Sequence, residues 1–122
     1  MKLNMELVRA ILADIEATRH DAGDLKMYEL PGWAQDVVDY HVTLLIEKRL
    51  VEGKELRGSG ERIGVLVHRL TWEGHEFLEK ARNDTVWRRA FAALKEKGLE
   101  GSLDLLKTAL TAEATKLLAS GS

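Results

Sequence analysis

The chain carries four histidines, His20, His41, His68 and His75. Histidine is the side chain best suited to proton transfer or metal ligation near neutral pH. None of the four stands in a His-x-x-x-His or His-Glu-x-x-His pattern, the spacings that bring two imidazoles to one helix face. Glu73 and His75 are two residues apart, which on a helix points them to different sides. His41 falls on an apolar helix face and reads as a core residue with a ring nitrogen bonded to a backbone carbonyl. His75, beside Trp72 and Glu76, reads the same way. Gly58-Ser59-Gly60 is no phosphate cradle, because no Lys-Ser/Thr follows it and the flanking pattern is that of a hairpin. No serine or acidic pair has a partner base that the pattern places beside it. The expectation is a protein without catalytic residues, metal or cofactor.

The basic residues offer a different chemistry. Lys54, Arg57, Arg62 and Arg69 lie on or beside a hairpin and are candidates for phosphate contacts. Glu52, Glu55 and Glu61 oppose them over the same stretch, so the basic excess is slight. The helix before the hairpin opens with Gln35, Asp36 and Asp39. A major-groove reader needs polar or basic side chains near that end, whereas carboxylates there repel phosphate and suit the helix dipole instead. Gln35, Asp36, Asp39, Thr43 and Glu47 are assigned to that helix's solvent face. Trp33, Trp72 and Trp87 could stack bases. The expectation is instead that Trp72 and Trp87 staple the C-terminal helices to the rest of the chain, and that Trp33, after Pro31-Gly32, is partly exposed. A net charge of −2 is a poor footprint for a nucleic-acid binder.

The elements that must position these residues follow from periodicity. Val8, Ile11, Leu12 and Ile15, joined by Leu7, predict a helix over 4–18 capped by Asn4. A turn over 20–24 and a short strand within 25–30 come next. Val37, Val38, His41, Leu44 and Leu45 mark the buried face of a second helix over 34–49. Strands over 50–56 and 63–70, around a flexible tip at 57–62, make a β-hairpin. Thr71 caps a third helix, in which Gly74 implies close approach of another backbone. A fourth helix follows over 85–97, closed by Gly98 as its C′ residue, and a fifth over 103–118, capped by Ser102. The tail, 120–122, is expected to fray.

At 122 residues with 45% apolar side chains, the chain is long enough to bury one core. It has no cysteine, hence neither disulfides nor thiolate metal sites. No apolar run approaches a membrane span, and the acidic N-terminal helix is no signal peptide. These features fit a cytoplasmic protein that stays off the membrane.

Leu70-Thr71-x-x-Gly74 is similar to the wing-to-helix junction of many winged-helix regulators. MKLNMELVRAILADIE, YHVTLLIEKRLVEG and, above all, LTWEGHEFLEKARNDTVW (Leu70 to Trp87) together resemble a family of uncharacterised proteins frequent in bacteria and their prophages. The resemblance implies a winged-helix-like domain and assigns no activity and no catalytic residues. The fold class expected is therefore α+β, mostly helical: a winged-helix-like domain over 1–82 and a C-terminal helical extension over 83–122 packed on it. A full winged helix has two helices between its first helix and its wing. Here the stretch over 19–33 must also hold the short strand, so the helix-turn-helix unit is reduced.

Leu99, Leu103, Leu106, Leu110 and Leu117, with Ala114, form an apolar seam along the last helix, supplemented by Leu105 and Leu118. Such a seam either folds back on its own domain or pairs with a second copy. Two functions stay open: a non-catalytic interaction module of phage or mobile-element origin, with an unidentified protein partner or a homodimer, and a DNA-binding transcriptional regulator that contacts phosphates through the wing.

Overall fold

The computed structural model describes residues 2–18 and 26–120. Among these residues the chain forms five helices and one three-stranded antiparallel sheet, an α+β architecture. Their order is α1 (Met5–Thr18), β1 (Lys26–Met27), α2 (Gln35–Glu47), β2 (Val51–Gly58), β3 (Glu61–Leu70), α3 (Trp72–Ala81), α4 (Asp84–Glu96) and α5 (Leu103–Ala119). The turn expected over 20–24 lies outside the described residues, as do His20 and the last two residues of the tail.

α1 is the hub of the core. Leu7, Val8, Ile11, Leu12 and Ile15 are all fully buried, and α2, α3 and β3 pack around them. Its start is fixed from two sides. Asn4 accepts the Leu7 N–H through Oδ1 at 3.0 Å, a standard N-cap. The Asn4 N–H in turn donates to His41 Nε2 at 2.8 Å. The other ring nitrogen of His41 lies 2.8 Å from the Val37 carbonyl oxygen. With Nε2 accepting, Nδ1 must carry the proton and donate to Val37, so the buried ring is the neutral Nδ1–H tautomer. The expected core histidine is therefore a tie between α2 and the N-terminus of α1.

The sheet runs β1-β3-β2. β2 and β3 are joined by Ser59-Gly60, both at positive φ (52° and 81°). That is the backbone of a two-residue type I′ turn. The tip is thus a tight turn, not the six-residue flexible loop expected over 57–62, because the strands extend to Gly58 and from Glu61. The inner face carries Val51, Val65, Val67 and Leu70, all buried.

The corner from α2 into β2 explains Gly74. α2 ends with Arg49 at φ 61°, and Leu50 N–H reaches back to Leu45 O while Arg49 N–H reaches Ile46 O. This is a Schellman ending with arginine where glycine is usual. Thr71 then locks α3 onto the corner. Its N–H donates to Leu50 O at 3.0 Å, its hydroxyl donates to Arg49 O at 2.6 Å, and the same oxygen caps Gly74 N–H. A Cβ on Gly74 would overlap the Leu50 carbonyl oxygen, so the close approach read from the sequence is present.

Asn83 and Ser102 cap α4 and α5, and Gly98 takes φ 69° at the end of α4. α5 folds back on α3 and α4. Leu103, Leu106 and Leu110 are buried there, in one core cluster that begins at Met5.

Candidate interaction surface

The four basic residues of the hairpin are not brought together as a free positive patch. Glu55 takes Arg57 Nε on one oxygen and lies 3.8 Å from Arg62 Nη1 on the other. Arg57 also donates to Gly60 O, and Arg62 to Asp36 O at the start of α2. Glu52 accepts from His68 Nδ1 at 2.8 Å and from Arg69 Nε at 3.2 Å. These two hydrogen bonds, that of His68 foremost, hold the Glu52 carboxyl below its ordinary value of 4.5. Lys54 is exposed and has no hydrogen bond or ion pair among the described residues.

The N-terminal end of α2 departs from the expected acidic solvent face. Asp39 is buried. The Gln35 amide donates to Asp39 Oδ1 at 2.9 Å and to the Tyr28 carbonyl at 2.8 Å, which closes the aspartate off beneath the chain leaving β1. Thr43 is half-buried rather than solvated. Only Asp36 stays as an exposed carboxylate in the first turn.

Two aromatic expectations part ways. Trp87 is buried, donates Nε1–H to Glu6 at 2.8 Å and lies 4.6 Å beneath the Arg9 guanidinium, so it does staple α4 to α1. Trp72 does not, being 76% exposed. The buried stripe of α3 is Gly74, Phe77, Leu78 and Ala81, and a residue two before Gly74 points to the opposite side. Trp33 is partly exposed as expected. His75 is no core residue either. It sits on the surface, 3.7 Å from Glu16 Oε2, in a cluster where Arg82 bonds Glu16 Oε1 at 2.6 Å. The partner lies on α1, which the local sequence around His75 could not reveal.

The leucine seam divides. Leu103, Leu106 and Leu110 are spent in the chain's own core and Leu117 is half-buried against it. Leu99, Leu105 and Leu118 remain exposed. A cleft of about 570 Å³ lies between α2 and the α4–α5 connection, with Tyr40 and Leu44 on one wall and Glu100 and Ser102 on the other. Lys48 spans it to Asp104 at 2.8 Å. Among the described residues no three histidine or acidic side chains are grouped to hold a metal ion, and no helix is long and apolar enough to cross a membrane.

The surface that sequence reasoning missed is the outward face of the sheet. Register puts Met27, Leu66 and Lys54 in one row across the three strands, with Leu56 opposite Gly64 in the next. The Met27 methyl group covers the position of a Cβ on Gly64, and the Ile63 side chain covers that of Gly58. The helices pack on the other face, and Ile63 is left 60% exposed, Met27 44% and Leu56 37%. A signal existed. The strand from Ile63 to Val67 is apolar without alternation, which implies apolar character on both faces; the two glycines mark where neighbouring side chains lean across.

Among the described residues, five helices and one three-stranded antiparallel sheet, with exposed apolar side chains on one sheet face, define a small α+β protein. The chain belongs to the family described as "Hypothetical protein (DUF2513)", which matches residues 2–100. It is also 35% identical over 119 residues to an "Uncharacterized protein" of Haemophilus influenzae (strain ATCC 51907 / DSM 11121 / KW20 / Rd), covering 98% of this chain and all of that one. No solved structure gives a significant match.

Proposed function

We propose that the chain is a winged-helix-like, non-catalytic interaction module of phage or mobile-element origin, acting in the cytoplasm on a protein partner. The order α1, β1, α2, β-hairpin, α3 supports the winged-helix-like reading. Residues 28–34 hold only a turn, which fits a reduced helix-turn-helix unit. The resemblance of the Leu70–Trp87 block to prophage-associated proteins supports the origin. The observation that carries the choice of partner is the state of the wing: its arginines are matched by Glu52 and Glu55, while its outward face is apolar.

A mixed-sequence DNA duplex titrated at low and near-physiological salt tests the reading. The expected result is weak binding at low salt at most, lost as salt rises. Tight binding that survives near-physiological salt and disappears in Arg57→Ala/Arg62→Ala would replace it with the alternative, a DNA-binding transcriptional regulator using the wing. That alternative draws on one feature, the exposed Lys54, which has no ion pair among the described residues, beside the half-exposed Arg57 side chain.

A further inference from the structure

We infer that the outer edge of β2 pairs with the same edge of a second copy of this chain, antiparallel and about a two-fold axis at Leu56, joining two three-stranded sheets into one. This goes beyond the interaction-module reading, because it names a contact of the chain with itself. β2 is the end strand of the order β1-β3-β2, so one side of its backbone has no strand partner among the described residues. An unpaired edge is a template for another strand. The groups that face it follow from the alternation along β2. Gly58 and Glu61 flank the two-residue turn and so exchange hydrogen bonds. At the other end Leu50 O accepts from Thr71 N–H. Both register shifts insert their extra residue into β3, at Ile63 and His68, and leave β2 regular. Gly58, Leu56, Lys54 and Glu52 therefore turn their N–H and C=O groups towards β3, and Arg57, Glu55 and Gly53 turn theirs outward. Ile46 of α2 reaches Gly53; past it, Lys54, Leu56 and Arg57 are exposed.

Charge selects one register. A two-fold axis makes one residue of the antiparallel pair face its own copy. Centred on Glu52, Lys54, Glu55 or Arg57, the pairing sets like charges directly opposite, which is destabilising. Centred on Val51 or Gly53, it drives the second copy's tip onto the corner where Thr71 holds Leu50 O. Centred on Gly58, it runs into the turn. Centred on Leu56, every position is compatible. Leu56 meets its own copy. Glu55 meets the second copy's Arg57, and Arg57 its Glu55, in two pairs that exchange about four backbone hydrogen bonds. Lys54 meets the second copy's Gly58, which has no side chain and whose β3 neighbour is Glu61. Lys54 and that Glu61 lie about 10 Å apart, two strand spacings, within reach of the two extended side chains. In the single chain neither has an ion pair among the described residues; the second copy supplies each with its opposite. The distal hairpin is otherwise balanced: Lys54, Arg57 and Arg62 stand against Glu55, Glu61 and Asp36, whose carbonyl accepts from Arg62. The apolar side chains also join. Met27 over Gly64 and Leu56 beside it form one row, which continues through the axis into the same row of the second copy. Residues 54–58 of each copy pair, far short of the ~800 Å² per partner of a stable interface, so the dimer is weak and reversible, forming on the order of 0.1 mM.

The test is sedimentation equilibrium of the full chain from about 10 µM to 1 mM, with NMR amide shifts followed over the same range. The wild type is expected to move from monomer towards dimer, with concentration-dependent shifts at the Glu55 and Arg57 amides, the donors that the pairing engages. Leu56→Lys sets two ammonium groups against each other at the axis and should weaken association roughly tenfold. Lys54→Glu and Glu61→Lys, each at an exposed position, should each weaken it as well. Mixed in equal amounts, those two variants should associate more tightly than either does alone, because each then meets an opposite charge at both contacts. A wild type that stays monomeric throughout would overturn the inference. A mixture no tighter than its components would do the same, since a general loss of sheet stability predicts no rescue. A dimer indifferent to Leu56→Lys but dissolved by Leu118→Asp would also overturn it, and would place the contact on α5.

Discussion

At the scale of single residues, contact geometry outweighs intrinsic preference, and Gly74 is the sharpest case. In an open helix, alanine is favoured over glycine by ~1 kcal/mol. Here a Cβ would overlap the Leu50 carbonyl oxygen, which is itself held by the Thr71 N–H. Gly74→Ala should therefore destabilise the protein by about 1–3 kcal/mol in urea unfolding; a gain would show that the start of α3 can slide away from the corner. Glu16 provides a prediction in pH. The Arg82 hydrogen bond foremost, aided by the charges of Arg82 and His75, holds its carboxyl below the ordinary 4.5. The folded state thus favours ionised Glu16 more than the unfolded state does. The contribution is complete above pH 4.5 and is lost as pH falls through the lower, folded value. Glu16→Gln should flatten the acid limb of the stability–pH curve below that point. Both partners are substantially exposed, so the effect is small. Equal acid limbs in wild type and variant would mean that the pair contributes nothing.

At the scale of elements, what could be read in the sequence followed from whether the cause was local. The caps at Asn4, Thr71 and Ser102 and the glycine at 98 are local hydrogen-bonding and φ requirements, and they stand where the residues placed them. The buried stripe of α1 was equally plain from its spacing. Asp39, Trp72 and His75 were misread because their surroundings come from elsewhere: the Gln35 amide and the Tyr28 carbonyl, the orientation of the α3 stripe, and Glu16 on α1. The hairpin turn allows a direct check. Gly60 has open space around it but φ 81°, so Gly60→Ala should cost about 1–2 kcal/mol from the left-handed backbone alone, whereas a loop of six flexible residues would absorb it. α5 separates its two faces as clearly. Leu106→Ala removes a fully buried side chain and should cost about 2–5 kcal/mol. Leu118→Ala, at a position 85% exposed, should stay within about 0.5 kcal/mol. Comparable losses at both would mean that α5 buries a face other than the one packed on α3 and α4.

At the scale of the molecule, the question is whether 83–122 is an appendage or part of one folding unit. The matched family region ends at residue 100, before α5, yet the core does not respect that limit. Leu103, Leu106 and Leu110 share one cluster with Met5 and Leu7. Across the other side, Trp87 on α4 is tied to Glu6 on α1, and Arg9 reaches both the Ala81 carbonyl and Asp84. Elements at the two ends of the sequence thus stabilise each other, and removing either exposes the apolar surface of the other. The chain should therefore unfold in a single cooperative transition. Trp87 makes this testable, because Trp33 and Trp72 are already exposed and can be changed to phenylalanine at little cost to packing. In that double variant, the urea midpoint from Trp87 fluorescence should coincide with the midpoint from far-UV circular dichroism, which averages over all five helices. A fluorescence midpoint at lower urea would mean that α4 and α5 detach before the sheet and α1 unfold. The C-terminal helices would then be a separable extension, and the tie from Trp87 to Glu6 would contribute little.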